Sequence, residues 1–182
     1  KYMVFIVKNM LAFIVLVFLN CGLIAAEKCR IDGEECECYY DSNSRLYALE
    51  CSRQSESFTL PELGAFLNAR GMNQNFSITF NYKKYNEIPA FAFNYSNIII
   101  LDLSYNNIEH VHERAFEGAT SLTQLVLRRN KILRIEFAAK SLQLLMLPLN
   151  KLKECRANMF VNFTSLEKLD LDQNFIETVV PE

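Results

Sequence analysis

One line is written four times in the second half of this chain, and it restricts the fold more than any other feature. It reads Ile98-x-x-Leu101-x-Leu103-x-x-Asn106-x-Ile108, then Leu122-x-x-Leu125-x-Leu127-x-x-Asn130-x-Ile132. It returns as Leu142-x-x-Leu145-x-Leu147-x-x-Asn150-x-Leu152 and as Leu166-x-x-Leu169-x-Leu171-x-x-Asn174-x-Ile176. The steps from Asn106 to Asn130, Asn150 and Asn174 are 24, 20 and 24 residues. A period in this range is one supersecondary unit stacked on copies of itself, a solenoid. Alternate side chains of a short strand face opposite ways. Leu125 and Leu127 are therefore expected inward, and Gln124, Val126 and Arg128 outward. No single copy can bury its apolar edge, but stacked neighbours bury it together. Each Asn turns the chain away from its strand, and its amide is expected to bond backbone groups of the turn, as a ladder down the stack.

A degenerate copy precedes these four: Asn75-x-x-Ile78-x-Phe80-x-x-Lys83-x-Tyr85-x-x-Ile88, with Lys83 in place of the ladder Asn. Phe93, Phe116 and Phe160 recur ten residues after a ladder position, whereas the 20-residue copy from Leu122 lacks room for such a turn. The line L-x-x-L-x-L-x-x-N resembles that of the leucine-rich-repeat family, and the recurrent Phe resembles its "typical" subclass. The resemblance implies an α/β leucine-rich-repeat solenoid, or horseshoe. Each repeat would place a short parallel strand on the concave face, and the convex side would be irregular and stacked on phenylalanines. About five repeats are expected over residues 61–182, the first degenerate and the last truncated.

Residues 1–26 read as a secretory signal peptide. Lys1 and Lys8 supply a basic start, Met10–Phe18 opens an apolar run that continues through Leu23-Ile24, and Ala25-Ala26 provides a small-residue cleavage site. Asn20, Cys21 and Gly22 interrupt the run before the roughly 20 apolar residues a spanning helix needs, so an uncleaved anchor is the lesser alternative. The chain opens on Lys1 and stops at Glu182 partway round a repeat, which suggests a fragment of a longer protein, with any membrane span lying beyond Glu182.

Next come Cys29, Cys36, Cys38 and Cys51. An even cluster behind a signal peptide signals a disulfide framework in an oxidising compartment, and four cysteines allow three connectivities. A zinc site is the rival, disfavoured by the secretory address and the lack of histidine nearby. The spacing C-x6-C-x-C-x12-C resembles the cysteine-rich N-terminal cap of extracellular leucine-rich-repeat proteins. That resemblance implies a cap over residues 27–60 with Cys29–Cys38 and Cys36–Cys51 bonds. Acidic Asp32, Glu34, Glu35 and Glu37 read as a solvated face. Cys155 aligns with Val111 and Val179, an inward position, with an intermolecular disulfide as the alternative.

Three N-x-[ST] sequons mark candidate glycan acceptors, Asn75, Asn94 and Asn162. Asn94 and Asn162 follow the convex Phe, whereas Asn75 stands at a first frame position and is expected to be occluded.

The resemblance places function on the concave face, and the frame gives its outward residues. The candidate binding set is Tyr82, Ile100, Asp102, Tyr105, Gln124, Val126, Arg128, Leu144, Met146, Leu149, Lys168 and Asp170. Leu144, Met146, Pro148 and Leu149 all read as outward, with Val126 and Ile100 beside them, an apolar patch of the kind that marks a protein or ligand site. Arg128, Arg129, Lys131 and Arg134 form a basic cluster expected to pair with Asp102, Asp170 and Asp172, with heparan sulfate or an acidic partner as the alternative. His110 and His112 share a side but lack a third metal ligand. No nucleophile elbow, phosphate loop, metalloprotease helix or dinucleotide turn is present, so neither an enzyme nor a cofactor is expected. A net charge of −2 offers no global attraction for nucleic acid. The reading is a secreted or cell-surface module that recognises a protein ligand or co-receptor, of receptor or innate-immune type, with homo- or heterodimerisation left open. The alternative is a structural matrix component that binds fibrils or glycosaminoglycan.

Overall fold

The computed structural model describes residues 27–31, 34–51 and 74–180. The expected signal peptide, the boundary at residue 60 and a helical turn expected over Leu60–Leu67 lie outside them. Strands β1 (Glu27–Ile31), β2 (Glu34–Asp41) and β3 (Leu46–Glu50) come first. Strands β4 (Phe76–Thr79), β6 (Ile98–Asp102), β8 (Gln124–Val126), β9 (Leu144–Met146) and β11 (Lys168–Asp170) carry the repeats. Together they form one 8-stranded sheet in the order β1-β2-β3-β4-β6-β8-β9-β11. β1, β2 and β3 pair antiparallel, and from β3 onward every pair is parallel. The chain is a leucine-rich-repeat solenoid, as its repeat line implies. Its helical content among the described residues is one 3-10 turn, Ala157–Phe160.

In the first three copies of the line the inward leucines do what the frame asks of them, whereas Leu169 of the last copy is 36% exposed. Leu101, Leu103, Leu125, Leu127, Leu145 and Leu147 are all fully buried in one continuous core. The ladder is equally regular. Asn130 donates through Nδ2 to the carbonyls of Leu127 (3.0 Å) and, one turn back, Leu103 (3.0 Å), while its Oδ1 accepts from the Ile108 amide (3.1 Å). Asn106, Asn150 and Asn174 repeat the pattern on Phe80, Leu127 and Leu147. The residue before each ladder position is left-handed: Tyr82, Tyr105, Arg129, Leu149 and Gln173 have φ between 53° and 62°. That conformation costs a non-glycine residue roughly 1–2 kcal/mol, and the amide bonds across the turn hold it in place.

The convex side carries two small parallel sheets. One joins β5 (Glu87–Ile88) to β7 (His110–Val111), the other β10 (Glu154–Arg156) to β12 (Thr178–Val180). Between them Ile135 holds the same frame position, buried but not in a strand, because the 20-residue repeat passes there. Cys155 pairs in register with Val179, as its alignment implies, yet it is half-buried rather than a core residue. Ile88 and Ile135 occupy the turns on either side of Val111, whereas Cys155 has the 73% exposed Val179 on one side. Among the described residues Cys155 is the free thiol.

The phenylalanine stack departs from the expected Phe93, Phe116, Phe160 series. Phe93 stacks on Phe116 (centroids 5.7 Å), Phe116 meets Phe137 edge-on (5.3 Å), and Phe137 meets Phe163 (5.6 Å). The short repeat therefore does have a phenylalanine in the stack: Phe137, seven residues after its Asn rather than ten. Phe160 is pushed to a half-buried place against Phe163, which takes the inner position that Ala119 and Ala139 hold in the preceding turns.

Candidate functional site

Register assembles the outer face of the main sheet. One row runs Ala48, Ser77, Ile100, Gln124, Leu144, Lys168. Beside it runs Glu37, Glu50, Thr79, Asp102, Val126, Met146, Asp170. Ile100, Val126, Leu144 and Met146 thus meet on three consecutive strands, each half-buried, so they are packed at the base and open above. Arg128 and Lys168 are exposed, and Asp102, Gln124, Leu149 and Asp170 are half-buried. Tyr82, 44% exposed, stacks on Tyr105 at 4.7 Å, and the Arg129 guanidinium lies 5.4 Å from the Tyr105 ring centroid. This aromatic–cation column stands on the left-handed turn residues, at the lip of the sheet face.

Pro148 corrects the outward reading, because it is buried, and so is Ser104 at the equivalent position. Both are short, and each lies between turns that carry longer side chains, Asn81 and Arg128 around Ser104, Arg128 and Asp172 around Pro148. The apolar patch is therefore Ile100, Val126, Leu144 and Met146, with Leu149 at its edge. The basic cluster does not pair as expected either. Arg129 faces Tyr105, and Lys131 reaches Glu109 at 3.9 Å. Among the described residues Asp102, Asp170 and Asp172 form no ion pair. Asp102 and Asp170 instead accept the backbone amides two residues on, Ser104 (2.8 Å) and Asp172 (2.9 Å).

The cap strands extend this face with residues that the repeat frame could not supply. Glu37 and Glu50 sit directly opposite each other across β2 and β3. Tyr39 donates its hydroxyl to Glu50, and that bond, helped by partial burial, pushes the Tyr39 phenol up to about 12. A sequence signal existed: residues beside a buried disulfide cysteine must face the other way along a strand. Glu37 lies between Cys36 and Cys38, and Glu50 precedes Cys51.

Cys36 bonds to Cys51 under this face, and Cys38 is also in a disulfide, so these sulfurs are not zinc thiolates. Cys29, the partner that the resemblance implies for Cys38, has its side chain outside the described residues. His110 and His112 are exposed, the latter accepting the Arg114 amide on Nδ1 (3.1 Å). Of the sequons, Asn94 and Asn162 are exposed on the convex side. The Asn94 side chain lies over Gly118, where a Cβ would come within 1.5 Å of its Oδ1. Asn75 is exposed too, contrary to the expected occlusion. A register shift between Phe76 and Ser77 pairs Phe76 with Ile98, so Phe76 takes the apolar frame position and Asn75 is turned out.

The family described as leucine rich repeat matches residues 74–132, from the degenerate first copy past the Asn130 ladder position. Mimecan of Mus musculus is 33% identical over 124 residues, which cover 67% of this chain and 38% of Mimecan. The chain thus spans well under half the length of that curated relative. With the repeat line, the asparagine ladder and the disulfide ahead of the first repeat, the chain belongs to the extracellular leucine-rich-repeat proteins.

Proposed function

We propose that this chain is an extracellular binding module that recognises a protein partner through the outer face of its main sheet, in the manner of a receptor or immune-recognition ectodomain. What carries the reading is the patch of Ile100, Val126, Leu144 and Met146, half-buried side chains that meet on three consecutive strands at the middle of the main sheet's outer face. Apolar groups left open in this way favour a partner that removes them from water. No helix among the described residues is long and apolar enough to cross a membrane. Asn75, Asn94 and Asn162 are read as glycan acceptors, the last two away from this face.

Replacing Val126 and Met146 with glutamate tests the reading. The double variant should keep its circular dichroism and lose the binding to cell surfaces or matrix that is expected of the labelled wild-type chain. A convex substitution, Glu136→Arg, should leave that binding unchanged, and equal binding by both variants sinks the proposal. The glycosaminoglycan alternative draws on exposed Arg128 and Arg129. Retention on heparin until high salt supports it, because contacts to an anionic chain are salt-dependent.

A further inference from the structure

We propose that the sheet face takes an extended, basic segment of a partner protein, with an apolar centre flanked by cations; this rests on the sheet-face reading above. The observation behind it is the row that crosses the sheet from Glu50 through Thr79, Asp102, Val126 and Met146 to Asp170, one residue per strand. Carboxylates stand at both ends and the apolar pair lies between them. Glu37 adds a second carboxylate directly opposite Glu50, and Asp172 a further one beside Asp170.

Among the described residues Glu50, Asp102 and Asp170 accept hydrogen bonds from neutral donors but meet no cation. Among the described residues Glu37, Glu50, Asp102, Asp170 and Asp172 make no ion pair, and the nearby cations Arg128 and Lys168 are not drawn to them. Like charges directly opposite across a strand pair are destabilising, and a carboxylate row along one face raises the local potential for cations. A cationic partner relieves that repulsion, whereas an anionic one adds to it. The net charge of −2 is too small to produce the same preference everywhere on the surface.

Spacing sets the length of the segment. Glu50 and Asp170 are five strand steps apart, about 24 Å at roughly 4.8 Å per step. An extended chain rises about 3.3 Å per residue, so about seven residues bring cations at both ends opposite the two acidic groups while the middle covers Val126 and Met146.

The test uses three fluorophore-labelled nine-residue peptides with the same leucine-containing centre. Their ends carry lysines, glutamates or serines, and fluorescence anisotropy at physiological salt reads binding to the full chain. The lysine peptide is expected to bind roughly tenfold or more tightly than the glutamate peptide, the preference electrostatic complementarity provides. That preference should collapse in a Glu50→Gln, Asp102→Asn, Asp170→Asn variant, whose melting temperature shows that it is folded. Persistence of the preference in the folded variant places it elsewhere on the chain and overturns the proposal. Equal or tighter binding of the serine or glutamate peptide, abolished by Met146→Glu, overturns the basic-partner assignment and leaves the sheet-face reading standing. Failure of all three peptides to bind, or binding indifferent to Met146→Glu, overturns both.

Discussion

The amide of each ladder asparagine ties two turns together. Nδ2 of Asn130 serves a carbonyl on its own turn and one on the turn before, and its Oδ1 holds an amide there. Alanine at position 130 leaves the buried Ile108 amide without a partner, worth about 1–3 kcal/mol of desolvation, while the Leu103 and Leu127 carbonyls keep only the amides of Asn106 and Asn150. Asn130→Ala should therefore lower stability by at least that amount in urea unfolding; a midpoint equal to wild type would refute the role. At Tyr39 the side chain is the switch. The hydrogen bond to Glu50 holds the phenol neutral up to about 12, against an ordinary value of 10.0. A folded-state value raised in this way gives stability that is complete below pH 10 and is lost as pH rises from 10 through 12. Tyr39→Phe should flatten that alkaline loss in melting temperatures measured between pH 9 and 12. The left-handed turn residues were not legible in the sequence, because glycine, the usual sign of positive φ, stands at none of these positions.

The short repeat shows how an element absorbs a deletion. Four residues fewer than its neighbours, it forms no convex strand, yet Phe137 continues the stack between Phe116 and Phe163. Phe137 is buried to 2% exposure, and truncating a core phenylalanine to alanine typically costs about 3–5 kcal/mol. Phe137→Ala should show a loss of that size, whereas Phe160→Ala, at a half-buried site, should cost distinctly less; equal losses would mean the stack is not continuous through the short repeat. Sequence spacing counted ten residues from each Asn and so selected Phe160. It had no means of knowing that Phe163 would take the inner place used by alanine in the preceding turns. The same blindness applies at Asn75, where one residue of bulge puts Phe76 in its place at the start of the first repeat, while Ile78 and Phe80 stay inward as the frame expects.

For the whole molecule, the antiparallel β1–β2–β3 unit covers the edge strand β4, which would otherwise offer unpaired backbone to another chain. The Cys36–Cys51 bond fixes that unit with a sequence separation of 15, and a loop of this length is worth about 3 kcal/mol in the chain-entropy account. Cys51→Ser should cost about that much in chemical unfolding and raise concentration-dependent aggregation measured by light scattering; an unchanged midpoint would show that the strands hold without the bond. Sequence alone determined the repeat, its inward leucines and the asparagine ladder, because a stack of identical units requires the same residue at the same place each time. It also put Asp102, Asp170 and the apolar residues on the outward side of the repeat strands. Only the tertiary structure lined Asp102, Val126, Met146 and Asp170 up in one row with Glu37 and Glu50 of the cap strands. Burial of Pro148, the outward turn of Asn75 and the alignment of Glu50 with Asp102 and Asp170 depend on the register between strands and on the bulk of the side chains in the next turn, quantities that no single repeat contains.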